Sequence, residues 1–96
     1  MTSKQRAYLR GLSNKIEPIF QIGKSGVGNN LVQQLNDALE ARELIKITVL
    51  ETAPDSIKNI ANDISIQTNS ILVQIIGSKI TLYKPRKNNP KIMLPY

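Results

Sequence analysis

The segment 19–35 constrains the fold of this chain more than any other part of the sequence. An apolar stretch, residues 19–22, runs into Gly23-Lys24-Ser25-Gly26, and apolar side chains at helical spacing begin at Leu31. Asn29 or Asn30 is the expected cap of that helix. A strand, a Gly-x-x-Gly loop and a helix start in this order predict a turn with exposed amides beside the positive end of a helix dipole. Such a turn favours the binding of an anion.

The spacing of the glycines argues against a nucleotide cofactor. Gly23 and Gly26 are too close together for a Walker A loop, and the run through Gly28 reverses the spacing of the dinucleotide fingerprint. With a net charge of +6, the chain favours the phosphate backbone of a nucleic acid as the anion. A tight turn that binds no ligand is the alternative.

Charge is distributed unevenly along the chain. Residues 1–30 carry five basic side chains and one acidic, residues 31–70 three basic and six acidic, and residues 71–96 five basic and none acidic. Basic ends around an acidic middle predict one positive face built from both termini. The alternative is that these residues only keep the ends of the chain solvated.

Length and composition exclude several classes of protein. At 96 residues the chain is one domain, and it contains no cysteine and no histidine. Disulfides, most zinc, iron–sulfur and haem sites, and histidine-assisted nucleophilic catalysis are therefore excluded. We predict a non-enzymatic protein without metal or cofactor. No apolar run is long enough for a membrane span, and the N-terminus has no signal-peptide pattern, which predicts a cytoplasmic protein with no membrane partner.

Periodicity predicts the element order αβαβαββ. Successive βα units favour parallel pairing, and the final hairpin is antiparallel, so we expect an α/β two-layer fold with a mixed four-stranded sheet and helices on one main face. The domain is expected to cover residues 1–84, followed by an exposed basic tail over 85–96. The expected helices are 4–13, 31–42 and one opening at 53–56 with Pro54 near its first turn. The expected strands are 19–22, 44–50 (central), 71–76 and 79–84, with Gly77-Ser78 as the hairpin turn.

The remaining polar and aromatic residues show no catalytic or base-stacking pattern. No acidic pair has the setting of a general acid and base, so the acids are interpreted as solvated helix surface: Glu40, Glu43, Glu51, Asp55 and Asp63. The four aromatic residues do not supply the exposed strand aromatics of an RRM. Recognition through backbone and shape is therefore expected.

Four sequence blocks, in this order, resemble the YhbY family of small bacterial RNA-binding proteins, the stand-alone form of the CRM (chloroplast RNA splicing and ribosome maturation) domain. The similarity covers residues 3–84. The blocks are Lys4-Gln5-Arg6 with Leu9-Arg10-Gly11-Leu12, then 22–27, then 38–46, then 73–77 with Leu82-Tyr83-Lys84-Pro85.

The resemblance implies a fold similar to the C-terminal domain of translation initiation factor three. It also implies binding to structured RNA and association with precursors of the large ribosomal subunit. The family loop corresponds to Gly23, Lys24, Ser25 and Gly26, and the family's basic surface to Arg6, Arg10, Lys46 and Lys84. Gly28 stands where many relatives carry a capping Thr, which is why an asparagine is expected to cap the helix.

The leading hypothesis is therefore an RNA-binding protein, expected to be monomeric, that assists assembly of the large subunit by contacting its rRNA. The Gly-x-x-Gly loop and the basic side chains, Arg86 included, make the contacts. The alternative is a protein-interaction module that binds an acidic ribosomal or assembly factor through the same basic face.

Overall fold

A computed structural model describes residues 1–96 and contains three helices and four strands in the predicted order. The predicted element order is confirmed. None of the helices is long and apolar enough to span a membrane. The elements are α1 Ser3–Ser13, β1 Phe20–Ile22, α2 Asn29–Arg42, β2 Leu44–Val49, α3 Ile57–Thr68, β3 Ile71–Ile76 and β4 Lys79–Tyr83.

The sheet is mixed, with the strand order β1-β2-β4-β3. β1 runs parallel to β2, and β4 pairs antiparallel with both β2 and β3. The predicted hairpin turn is confirmed, since Ile76 pairs with Lys79 across Gly77 and Ser78. Gly77 has φ +58°, a conformation that glycine adopts at little cost. The predicted central position of β2 is also confirmed.

Two helices and one face of the sheet enclose the main core. Because side chains alternate along a strand, Ile45, Ile47 and Val49 of β2 share the face that α2 and α3 cover. Leu35 and Leu39 of α2 are fully buried there. The other buried members of this core are Ile22, Ile60, Ala61, Ile64, Ile80 and Leu82.

The first helix covers the opposite face of the sheet. Leu9 of α1 packs with Leu44, Val73 and Tyr83 in a second, smaller core. The hydroxyls of Ser13 and Thr81, both buried, lie 2.6 Å apart in a hydrogen bond that joins α1 to β4. The expectation of one main helical face therefore describes α2 and α3, while α1 adds a partial layer on the other side.

Side-chain caps define where α1 and α3 begin. Thr2 and Gln5 form a capping box at α1. The Ser56 hydroxyl accepts a 3.2 Å hydrogen bond from the Asn59 N–H at α3. That helix therefore begins at Ile57, with its cap at the last residue of the predicted opening 53–56 and Pro54 two residues before the cap.

The chain beyond Pro85 contains no helix or strand but folds back onto the domain. Its backbone N–H groups at Arg86, Lys91 and Ile92 all donate to the carboxylate of Glu43. Glu43 is fully buried, so its interpretation as solvated helix surface is wrong. Three backbone donors replace the water that a buried carboxylate loses, and they hold the tail in place.

Alkaline pH is expected to destabilise the fold through Tyr83. Burial raises the pKa of its hydroxyl above the usual 10.0, and the Glu43 carboxylate adds to this. Because the unfolded chain loses this proton first, the free energy of unfolding should fall as the pH rises above 10.0 toward the higher pKa of the folded protein. Urea denaturation at about pH 8.5 and about pH 11 should show a larger loss for the native protein than for Tyr83→Phe. Equal losses would rule out a contribution from Tyr83.

Candidate functional site

The Gly-x-x-Gly loop forms a tight four-residue turn after β1. The Gly26 N–H donates to the Gly23 carbonyl oxygen at 2.9 Å, which closes the turn. Gly26 has φ +66°, and a Cβ built on it would lie 3.0 Å from Cγ of Pro54. A Cβ on Gly23 would meet only side-chain atoms, at 3.5 Å or more. The turn therefore requires glycine at position 26, whereas position 23 has room for a methyl group.

The helix after this loop has no side-chain cap. Gly28 occupies the N-cap position of α2, and Asn29 is the first helical residue. The prediction that Asn29 or Asn30 caps the helix is wrong, since neither side chain makes that hydrogen bond. The first N–H bonded to a carbonyl belongs to Val32, so the N–H groups of residues 29–31 have no partner in the chain. The first turn also lacks acidic residues, so its free N–H groups and the positive end of the helix dipole have no negative group of the chain beside them.

The charges around the loop are mixed. Lys24 and Ser25 are exposed, so both side chains can reach a ligand. Asp55 lies one residue beyond Pro54, the side chain in contact with Gly26. Hydrogen bonds from the Asn59 side chain and the Ser56 N–H lower the pKa of Asp55. Its charge is therefore held at the start of α3, and Lys24 is the cation available within the loop itself.

Four of the predicted cations bond to the protein's own carbonyl oxygens. These bonds link Arg6 to Leu72 (2.8 Å), Lys46 to Ser13 (2.9 Å), Lys84 to Thr68 (3.0 Å), and Arg86 to Glu40 and Ala41 (both 2.7 Å). Three of them reach the C-terminal ends of α1, α3 and α2, where cations offset the negative end of the helix dipole. These cations therefore stabilise the fold, whatever else they contact.

The predicted site residues do not form a single cluster. Arg86 bonds to the C-terminal end of α2, whereas the loop precedes its first residue. A helix of 14 residues is about 20 Å long, so Arg86 and the loop are about 20 Å apart. Arg10 is exposed on α1, apart from both groups.

The two basic ends of the chain lie next to each other. The Gln5 side chain donates to the Pro95 carbonyl oxygen at 3.0 Å, and Ile92 and Leu94 pack against the smaller core beneath α1. The exposed charged side chains of α1 and of the tail are all basic: Lys4, Arg10, Lys87 and Lys91. The two termini are thus in contact with each other, and both are basic.

The role of Glu43 was not predicted, although the helical period of the sequence contains a signal for it. Positions 35, 39 and 43 are four residues apart and lie on one helical stripe, and the first two hold buried leucines. An acid on that stripe points toward the interior.

A family model for the CRS1/YhbY (CRM) domain matches residues 1–84 of this chain. The chain belongs to the CRM-domain family. This CRM-domain protein is 44% identical over 95 residues to Bacillus subtilis YqeI, named a probable RNA-binding protein, and the match covers 99% of each chain. It is 32% identical to an RNA-binding protein of Haemophilus influenzae, over 99% of this chain and 95% of that one.

A solved structure extends the similarity to three dimensions. The solution structure of protein SAV1595 from Staphylococcus aureus superposes on this CRM-domain protein with a TM-score of 0.82, at 49% identity and 99% coverage of both chains. The α/β fold with a mixed four-stranded sheet is therefore shared by this relative.

Proposed function

We propose that this CRM-domain protein binds structured RNA through the Gly-x-x-Gly loop and assists assembly of the large ribosomal subunit as a cytoplasmic monomer. One observation carries the RNA contact: the first turn of α2 is uncapped directly beside a loop that bears an exposed lysine. The net charge of +6 and the RNA-binding names of two relatives support it. The ribosomal role follows from the resemblance to the YhbY family.

The loop offers backbone donors to phosphate. The unpaired N–H groups of residues 29–31 and the positive end of the α2 dipole favour an anion. Gly26 keeps the turn narrow, and Lys24 and Ser25 stand exposed at its tip. A phosphate bound there would position the RNA without reading its sequence.

The strands supply no platform for base stacking. Of the two strand aromatics, Tyr83 is buried and Phe20 is partly buried. The RRM mode, in which exposed strand aromatics stack bases, is therefore not available here. The exposed basic residues of α1 and the tail, Arg10 among them, would instead add salt-dependent contacts to the backbone of a folded RNA.

Replacing Ser25 by Asp tests the loop without disturbing a buried group. A carboxylate beside the open amides should repel phosphate and weaken binding to labelled large-subunit rRNA by about 10-fold, which is about 1.4 kcal/mol. Lys24→Gln should weaken binding less and reduce the salt slope by about one. Titrations at several salt concentrations measure both effects.

Matched charge changes outside the loop provide the controls. Ser78→Asp places the same charge in the exposed hairpin turn, and Lys58→Gln removes an exposed lysine from α3. If all four variants bind alike, the loop is only a structural turn. If no variant and no native protein binds rRNA, RNA binding is refuted and an acidic protein partner becomes the better hypothesis.

A further inference from the structure

A cavity of about 500 Å³ lies at the end of the sheet opposite the Gly-x-x-Gly loop. It opens between the end of α1, the starts of β1 and β2, and the C-terminal tail. Its volume is within the range of small-molecule sites in proteins. Its floor is apolar and consists of Leu12, Ile16, Ile19, Leu44, Ile45 and Ile92.

Three cations and one acid line the same cavity. Lys46 is half-buried, and its Nζ donates to the carbonyl oxygens of Ser13 at 2.9 Å and Ile16 at 3.4 Å. An ammonium group has three donors, so one remains for a ligand. Lys15 and Arg42 are exposed in the cavity lining, where Glu17 is the one acidic residue. The lining therefore combines apolar contact, one half-buried donor and net positive charge.

We infer that this cavity receives an unpaired RNA nucleobase. The flat apolar faces of a base match the apolar floor, and the acceptor atoms on its edge match the free Lys46 donor. The attached phosphate matches the cations Lys15 and Arg42. Proteins that recognise single-stranded RNA stack unpaired bases on flat groups, the Arg guanidinium plane included, and hydrogen-bond the edges of the bases. The inference rests on the proposed RNA binding but concerns a different place. Arg42 ends α2 and the loop precedes it, about 20 Å away.

Nuclear magnetic resonance with free nucleotides tests the cavity without any assumption about rRNA. The four nucleoside 5′-monophosphates are added separately to the labelled full-length protein, with ribose 5-phosphate as the control that lacks a base. Saturable shifts confined to cavity residues such as Leu12, Ile16 and Ile45 are expected with one or more nucleotides but not with ribose 5-phosphate. Equal shifts with ribose 5-phosphate, or no cavity shifts with any nucleotide, would overturn the inference.

A cavity-filling variant separates this site from the loop. Ile19 lines the cavity and is 38% exposed, so Ile19→Trp should occupy the recess without burying a new group in the core. It should abolish the nucleotide shifts and weaken binding to single-stranded rRNA segments about 5- to 100-fold. Ile76→Trp, at a 58% exposed hairpin position, is the matched control and should change neither.

These variants test the cavity inference and the loop proposal independently of each other. If Ile19→Trp binds both nucleotides and rRNA like Ile76→Trp while Ser25→Asp loses rRNA affinity, the cavity inference is wrong and the loop proposal stands. If Ile19→Trp abolishes the nucleotide shifts while Ser25→Asp retains full affinity, the cavity stands and the loop proposal falls.

Discussion

Replacing Glu43 by Ala is expected to lower the free energy of unfolding by about 3 kcal/mol, one of the larger effects that a single substitution has in a small domain. The fully buried carboxylate accepts hydrogen bonds from three backbone N–H groups of the tail, at Arg86, Lys91 and Ile92. Hydrogen bonds to a charged group are worth more than neutral ones, and their loss leaves these donors without a partner. In a domain of this size, the midpoint of thermal unfolding should fall by roughly 12–24 °C.

Two further substitutions separate the carboxylate from the backbone at this position. Glu43 has φ +67°, so Glu43→Gly relieves backbone strain and should be slightly less destabilising than Glu43→Ala. Glu40→Ala removes an exposed acid from the same helix and should change stability by no more than about 0.5 kcal/mol. Hydrogen exchange should show lost protection at Arg86, Lys91 and Ile92 in Glu43→Ala. Retained protection, or stability equal to that of Glu40→Ala, would refute the role assigned to Glu43.

Replacing Gly26 by Ala is expected to cost about 2 kcal/mol of stability and also to weaken RNA binding. A non-glycine residue in the left-handed region costs about 1–2 kcal/mol. The added Cβ would lie 3.0 Å from Cγ of Pro54, so the loop or the proline must also move. Because the turn of the loop leads directly to the open amides of α2, that movement should displace the proposed phosphate site.

Two neighbouring glycines provide matched controls for this change. Neither position 23 nor position 28 has a φ in the left-handed region, and a Cβ meets only ordinary contacts at Gly23 and nothing within 4 Å at Gly28. Alanine at either position should keep stability within about 1 kcal/mol of the native value. Denaturant unfolding and rRNA titration of the three variants measure both effects. If all three alanine variants have the same stability and the same rRNA affinity, the positive φ of Gly26 does not contribute to either.

The order of the elements could be predicted because each has a strong local pattern. The β-branched run at 44–50, the apolar spacing from Leu31 and the Gly77-Ser78 turn depend on residues close together in sequence. The side of the sheet on which α1 packs could not be predicted in this way. An amphipathic helix shows which of its own faces is buried, but not which face of a sheet buries it.

The cap of α2 and the partners of the basic side chains were also harder to predict, because both depend on the folded backbone. Asparagine is a good cap by propensity, yet the backbone places Gly28 at the N-cap of α2, one residue before Asn29. A basic residue has the same appearance in a sequence whether its charge meets water, RNA or a carbonyl oxygen. Lys46 and Lys84 were therefore predicted as surface contacts, and only the structure shows their bonds to the ends of α1 and α3.

The bond between Glu43 and the tail makes two distant parts of this chain evolutionarily dependent on each other. The family match ends at residue 84, but the partners of Glu43 lie beyond it. Deletion of the tail alone would remove the three donors of this carboxylate, and mutation of the acid alone would release the tail. Relatives should therefore carry both the tail and an acid at the position of Glu43, or neither. A relative that has lost the tail should have another residue in place of the acid.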